Sequence, residues 1–201
     1  TLDLNSQQAA TQSATGAILT PYLLLLSTAS PSAAFALHTS TLNDVDVLAA
    51  VTSGAISFRD LDDITIGTVG SANGLSTNSG SSDGASVQVI SDGLLTVSQP
   101  ITTSKTGSSA STGTVSLISA AGMSLSATGD ISSDGSVTLT ATNGISISAD
   151  IITTNDDVTF SSAVTLTGAV HIGTDTGIGT ITFHGTLNGS FDLTLNAGTG
   201  N

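Results

Sequence analysis

The sequence has almost no positively charged residues. Only Arg59 and Lys105 carry positive charge, and all 15 acidic residues are Asp, with no Glu. Charged residues make up 8% of the 201 residues, against about 25% in a typical soluble domain. Because Glu, Lys and Arg are good helix formers, their scarcity argues against helices. The net charge of −13 also argues against nucleic acid as a partner, because phosphate binding requires clustered Lys and Arg.

Cysteine and long apolar runs are missing as well. Without Cys the chain can form neither a disulfide framework nor a thiolate metal site. The most apolar stretch, residues 17–29, is interrupted by Pro21 and is shorter than the ~20 residues of a membrane-spanning helix. We therefore expect no membrane insertion. The chain starts at Thr1, and we interpret it as processed or excised, or else shortened.

What the sequence has is a repeat. Ser, Thr, Gly, Val, Ile and Leu dominate, and these residues suit strands and tight turns. Short runs with an apolar–polar–apolar pattern, typical of a strand with one buried face, recur at fairly regular intervals along the chain, which is the mark of a repeat architecture. These runs begin at Ile64, Val87, Val115, Val137, Val158 and Ile181.

Each period contains further strands. After the run at Val137, apolar pairs follow at Ile145 and Ile151. Gly precedes several second strands, for example Gly144, where a sharp corner favours positive φ. The pattern predicts an all-β fold: a parallel β-helix (β-solenoid) with three short strands per coil of about 19–23 residues. The alternative, an antiparallel sandwich or barrel, would instead have hairpins and polar faces of mixed charge.

Stacking the coils at ~4.8 Å would align equivalent side chains. Three columns are predicted, two of them inside the stack and one outside. The interior columns are Val115, Val137, Val158, Ile181 and Leu117, Leu139, Phe160, Phe183; the exterior column is Ser116, Thr138, Thr159, Thr182.

The domain organisation follows from where the pattern holds. Residues 44–201 are predicted to form the solenoid, with a loop insertion near residues 104–112, which are polar and lack an apolar pattern. Residues 1–43 show no clear period and are predicted to be an irregular N-terminal capping or inter-subunit segment. The run from Tyr22 to Leu26 is a candidate for burial against another subunit.

No catalytic site is evident, and we expect that the chain is not an enzyme. Arg59 beside Asp60, Asp62 and Asp63 could supply the base and the carboxylates of a lyase, but a surface ion pair is the simpler interpretation. The adjacent acids of the 156–157 pair would point to opposite sides of a strand, which does not suit a glycosidase. The three histidines, which show no ligand motif, are His38, His171 and His184.

Calcium is the one cofactor that the sequence suggests, and only weakly. Asp44 precedes Val45 as Asp63 precedes Ile64, close to one coil later in the chain. If these were equivalent corners, the two carboxylates would stack ~5 Å apart and repel each other, and a bound cation would relieve that repulsion. The alternative is that both acids are exposed and screened by water.

From about Asp44 onward, the repeats resemble the β-helical stalks of large bacterial surface proteins, such as filamentous-haemagglutinin-like adhesins. The resemblance is carried by ITIGT from Ile64, VTLTATNGISI from Val137, DVTFSSAVTLTG from Asp157 and FDLTLNAG from Phe191. It implies secretion to the bacterial cell surface, a structural or adhesive role, and membership of a longer fibre.

Three functions are compatible with this pattern. The first is an extracellular structural fibre component, self-assembling end to end with copies of itself or continuing into flanking repeats. The second is an adhesin stalk that binds a glycan or a host protein; against it, aromatic residues are only 3%, and sugars are commonly gripped by exposed rings. The third, ranked behind both, is a polysaccharide-active β-helix enzyme.

Overall fold

The computed structural model describes residues 1–27, 33–78, 84–103 and 112–199, and all regular structure in these ranges is β. The early strands are β1 (Leu2–Asn5), β2 (Ala10–Thr11), β3 (Tyr22–Leu26), β4 (Phe35–Leu37), β5 (Val47–Val51), β6 (Ile56–Asp60), β7 (Ile64–Ile66), β8 (Thr68–Val69), β9 (Ala72–Asn73) and β10 (Leu75–Ser76). The middle strands are β11 (Val87–Ser91), β12 (Leu95–Val97), β13 (Ile101–Thr102), β14 (Val115–Ser119), β15 (Met123–Leu125), β16 (Ile131–Ser133) and β17 (Val137–Ala141). The last strands are β18 (Ile145–Ile147), β19 (Ile151–Thr153), β20 (Val158–Phe160), β21 (Val164–Leu166), β22 (Val170–Gly173), β23 (Ile181–Phe183), β24 (Leu187–Asn188) and β25 (Leu193–Asn196).

The strands form a parallel β-solenoid, as predicted. From β7 onward each coil contributes one strand to each of three faces, and each strand pairs in parallel with its equivalent in the next coil. Face 1 is β2-β4-β6-β11-β14-β17-β20-β23. Face 2 is β7-β12-β15-β18-β21-β24, and face 3 is β10-β13-β16-β19-β22-β25.

The N-terminal coils are flatter than the others. Each has one long strand, β1, β3 or β5, opposite face 1, and these three strands pair in parallel in that order. β5 then pairs with two strands at once. Val47 and Leu48 lie opposite Thr65 and Ile66 of β7, whereas residues 50–51 lie opposite β10. The flat coil therefore becomes a triangular one at β5.

Residues 1–43 thus continue the stack, whereas the sequence analysis started the solenoid at residue 44. Their strands β1 to β4 pair in parallel with the following coils. Leu23 and Leu25 are buried within the chain. The period was hidden because these coils have two strands each and not three. The predicted loop near 104–112 lies, apart from Thr112, outside the described residues.

A hairpin covers the outer side of the flat coils. Among the described residues, strands β8 and β9 form an antiparallel pair, and they lie between β7 and β10 in the chain. Val69 and Ala72 of the hairpin pack on Leu24 of β3 and Ala49 of β5, which point away from the main core. This small outer core removes apolar surface that the flat coils would otherwise expose.

The predicted columns on face 1 are confirmed. The register aligns Val115, Val137, Val158 and Ile181, and beside them Leu117, Leu139, Phe160 and Phe183. The exterior column of Ser116, Thr138, Thr159 and Thr182 has the same register.

One assignment in the series was wrong. Ile64 was placed in the same series as Val87, but it lies opposite Leu95 on face 2, and Val87 lies opposite Ile56 on face 1. The error arose because the β8–β9 hairpin is inserted into this coil. The step from Ile56 to Val87, its partner on the next coil, is therefore longer than the predicted period.

The longest interior column runs along the joined flat faces and face 3, from the first strand to the last. Its nine members are Leu4, Leu25, Ala50, Leu75, Ile101, Ile131, Ile151, Ile172 and Leu195. The two outermost members are only partly covered, because no coil packs on their outer side.

A buried hydroxyl column accompanies it. In seven consecutive coils, the residue two positions after the member of this interior column is a Ser or Thr that is at most 1% exposed. From Thr52 onward the hydroxyls donate to backbone carbonyls of the corners that lead to face 1, for example Thr52 to Ala33 at 3.2 Å and Thr174 to Gly179 at 3.0 Å. The column consists of Ser27, Thr52, Thr77, Thr103, Ser133, Thr153 and Thr174.

Candidate functional site

The C-terminal coil exposes side chains that belong to the core in every preceding coil. Leu195 is 49% exposed, whereas Ile172, its neighbour in the register, is 1% exposed. Leu187 is 39% exposed, and its neighbour Val164 is 1% exposed. Among the described residues, β23, β24 and β25 each pair with one strand only, so their outer edges could accept a further strand. This surface is the unfilled half of a coil–coil contact.

The first coil also exposes a side chain at a core position. Leu2 of β1 is 38% exposed, while Leu23 below it is fully buried. Gln12 partly closes the corner after β2 through two hydrogen bonds with Asn43: its Nε2 donates to Oδ1 at 2.6 Å, and its Oε1 accepts from Nδ2 at 3.1 Å.

The two ends have different shapes, yet the molecule contains an example of how such shapes pair. The flat β1 would have to lie on the separate strands β24 and β25. Within the chain, the flat β5 already pairs with the separate strands β7 and β10. Stacking of copies would require the reverse order, a triangular coil followed by a flat one, so β5 shows only that one flat strand can pair with two separate strands.

Short carboxylates brace the corners between coils. Asp63, Asp130, Asp150 and Asp157 each stand just before a strand, and in each case Oδ1 accepts a hydrogen bond from a backbone N–H of the following coil at 2.7–2.9 Å. At these four corners, a carboxylate on one methylene spans the distance between coils.

Arg59 forms an ion pair across two coils. Its Nη2 lies 2.9 Å from Oδ1 of Asp92, which follows β11 in the next coil, and its Nε donates to the same carboxylate at 3.2 Å. Both side chains are about one-third exposed (34% and 29%). The sequence analysis considered only the acids adjacent to Arg59. It did not predict the pairing with Asp92, because Asp92 is far from Arg59 in the sequence.

The register does not stack Asp44 on Asp63. Val47 lies opposite Thr65, which is one position away from the alignment that would place these two acids at the same level. Oδ1 of Asp63 accepts from the N–H of Leu94 at 2.7 Å. Asp44 lines a shallow depression of about 220 Å³ together with Leu19, Thr20, Pro21 and Asp46. Among the described residues, no group of three or more His or Asp is arranged to hold a metal ion.

The remaining polar candidates are dispersed. Asp156 and Asp157 lie in the corner between β19 and β20, and Oδ1 of Asp157 accepts from the N–H and the hydroxyl of Thr180 at 2.8 and 2.7 Å. His38 and His184 are exposed, and His171 lies in β22. His171 lines a second shallow depression, of about 250 Å³, with Asp150, Ala169, Val170, Asp192 and Thr194.

Asp60 is one of two fully buried acids among the described residues that sequence reasoning missed; the other is Asp134. Asp60 ends β6, is fully buried, and accepts hydrogen bonds from the N–H groups of Asp62 (3.2 Å) and Val45 (3.0 Å). Burial raises the pKa of Asp60 to about 7, and the charges of Asp62 and Asp44 add to this effect while the two N–H groups oppose it. The signal in the sequence was the alternation of β6, which places residue 60 inward with Ile56 and Phe58.

None of the residues of the described structure forms a helix that could cross a membrane. Compared with known proteins, the chain matches no family model, no curated protein and no solved structure.

Proposed function

We propose that the chain is a structural component of an extracellular fibre on the bacterial surface, and that its end coils stack on copies of itself or continue into flanking repeats of a longer chain. The observation that carries the proposal is the C-terminal coil, where Leu187 and Leu195 occupy core positions and remain 39% and 49% exposed. Burying such side chains is favourable by roughly 25 cal/mol per Å² of apolar surface. The outer strand edges around them would gain hydrogen bonds at the same time.

The sequence supports the same function. The repeats resemble bacterial surface stalks, and the interior columns occupy most of the apolar residues. Each copy carries a charge of −13, so copies repel one another at low ionic strength. Because the Debye length is about 10 Å at 0.1 M salt and about 3 Å at 1 M, added salt should promote stacking.

Sedimentation velocity and negative-stain electron microscopy test the proposal over a range of protein and salt concentrations. The chain should form rods that become longer as the protein concentration and the salt concentration rise. Leu195→Asp places a charge in the contact and should leave single particles. Thr194→Asp adds the same charge on the outward side of β25 and should still form rods. Single particles of the unaltered chain under all conditions, or equal loss in both variants, would refute end-to-end stacking.

A second function, glycan binding by an adhesin stalk, is favoured by an exposed aromatic ring that lies next in the chain to a depression lined by carboxylates. Tyr22 is 47% exposed and follows Pro21, which lines the depression of about 220 Å³ with Asp44 and Asp46. An exposed ring and neighbouring carboxylates can contact the C–H face and the hydroxyls of a sugar. Binding on a glycan array that Tyr22→Ala abolishes and Phe191→Ala preserves would support it. An array without hits would eliminate it.

A further inference from the structure

Asp60 occupies a column whose other members are uncharged. The register aligns it with Ser91, Ser119 and Ala141 in the next three coils, and all four are at most 3% exposed. The serines hold the corner with neutral hydrogen bonds, such as the one from Ser119 Oγ to the carbonyl of Gly93 at 2.7 Å. A carboxyl group in this column is the exception.

No cation compensates a charge at Asp60 among the described residues. Arg59 points outward and is held by Asp92. The nearby charges that act on Asp60 are the acids Asp44 and Asp62. Of the other titratable groups around this corner, Asp63 is bonded to the N–H of Leu94, and exposed His38 follows β4. An ionised group that is buried without a countercharge is strongly destabilising.

The hydrogen bonds of Asp60 connect two successive coils. Val45 precedes β5 in one coil, and Asp62 lies in the corner after β6, which leads into the next coil. A backbone hydrogen bond from the N–H of Leu61 to the carbonyl of Asn43, at 2.7 Å, closes the same corner. This is the region where flat coils give way to triangular ones.

We propose that the Asp60 carboxyl is a pH-sensitive brace: it accepts the two N–H groups that tie residues 43–45 to residues 60–62, and its ionisation, although it strengthens these two bonds, buries a charge without a cation and thereby loosens this corner. The raised pKa of about 7 agrees with the geometry. Because the folded chain holds the proton more tightly than the unfolded chain, the stabilisation is complete below the ordinary pKa of 3.8. It is lost as the pH rises through about 7.

Hydrogen exchange at the amides of Val45 and Asp62 tests the brace, with rates corrected for the intrinsic dependence on pH. Protection should fall about tenfold between pH 6 and pH 8.5, as expected when a group with a folded pKa near 7 ionises. Asp60→Ser, which introduces the residue of the next two coils, should remove this decline. Asp192→Ser, at an exposed site, should keep it.

Two results would overturn the proposal. One is protection that does not change with pH in the unaltered chain. The other is the same decline in Asp60→Ser, which retains all three histidines and would assign the effect to them. Carbon-13 NMR titration of the Asp60 carboxyl in the unaltered chain requires no variant. A midpoint near 7 is expected, and a midpoint below 5 would also overturn the brace.

Discussion

The ring of Phe183 stacks on the ring of Phe160, with centroids 4.7 Å apart and planes only 4° from parallel. Phe160 is fully buried, whereas Phe183 is partly exposed because it belongs to the last coil. Phe therefore occupies two successive positions of one column. The ring of Phe160 has a coil on both sides, whereas the ring of Phe183 has a coil on one side only.

This difference predicts unequal losses of stability. Phe160→Ala should lower the free energy of unfolding by about 3–5 kcal/mol, as is usual for a buried Phe. Phe183→Ala should lower it by less than half as much, because less apolar surface is lost. Urea unfolding followed by circular dichroism measures both. Equal losses would show that Phe183 is covered in solution, as it would be in a stack of copies.

The buried hydroxyl column predicts a cost for removing an oxygen without changing the volume. Thr103 Oγ1 donates to the carbonyl of Gly113 and accepts from the N–H of Asp134. Thr103→Val leaves these groups without that partner and should destabilise by about 1–3 kcal/mol. Thr138→Val, on the outer side of face 1, should stay within about 0.5 kcal/mol of the unaltered chain. Thermal unfolding of the pair decides, and similar midpoints would contradict the prediction.

We predict that replacing glycine by alanine has different effects on stability at two positions. At Gly74 the φ angle is +70°, and a Cβ would lie 1.9 Å from the carbonyl oxygen of Pro100. Gly74→Ala should therefore distort the corner before β10 and lower the melting temperature markedly. Gly122→Ala meets nothing closer than 3.6 Å and should fold with a similar melting temperature. A tolerated Gly74→Ala would mean that this corner adopts another path.

For the corner carboxylates, we predict that the length of the side chain affects stability more than its charge does. Oδ1 of Asp157 accepts from both the N–H and the hydroxyl of Thr180. Asp157→Asn keeps an oxygen at this distance and should be mild. Asp157→Glu keeps the charge but moves the oxygen by one methylene, and should cost about 1 kcal/mol. Hydrogen exchange at the Thr180 amide should accelerate in the Glu variant only; faster exchange in the Asn variant alone would contradict this explanation.

The sequence predicted the fold where the coils are uniform. From Val115 to Ile181 the spacing between equivalent strands is nearly constant, so the alternation of apolar and polar residues aligns each interior column without further information. The assignment failed at Ile64, because the β8–β9 hairpin changes the spacing without changing the local pattern. Residues 1–43 were misread for a related reason, since a flat coil has two strands and lacks the third repeat signal.

The polar contacts were harder to predict. Thr103 and Thr138 look alike in sequence, and only the corner geometry makes one an interior hydrogen-bond donor. The column could have been found from its position, two places after each apolar member such as Ile101 or Ile151. The pairing of Arg59 with Asp92 depends on the height of one coil above another, which a single sequence does not specify.

The double pairing of β5 has a mechanical consequence. In a parallel solenoid the hydrogen bonds between strands run along the stack, so tension on the two ends loads them in line and opens the coils one after another. At β5 a single strand is bonded to β7 through its first half and to β10 through its second half. Faces 2 and 3 therefore cannot part from the flat coils independently, and a pulling experiment should record this junction as one combined rupture.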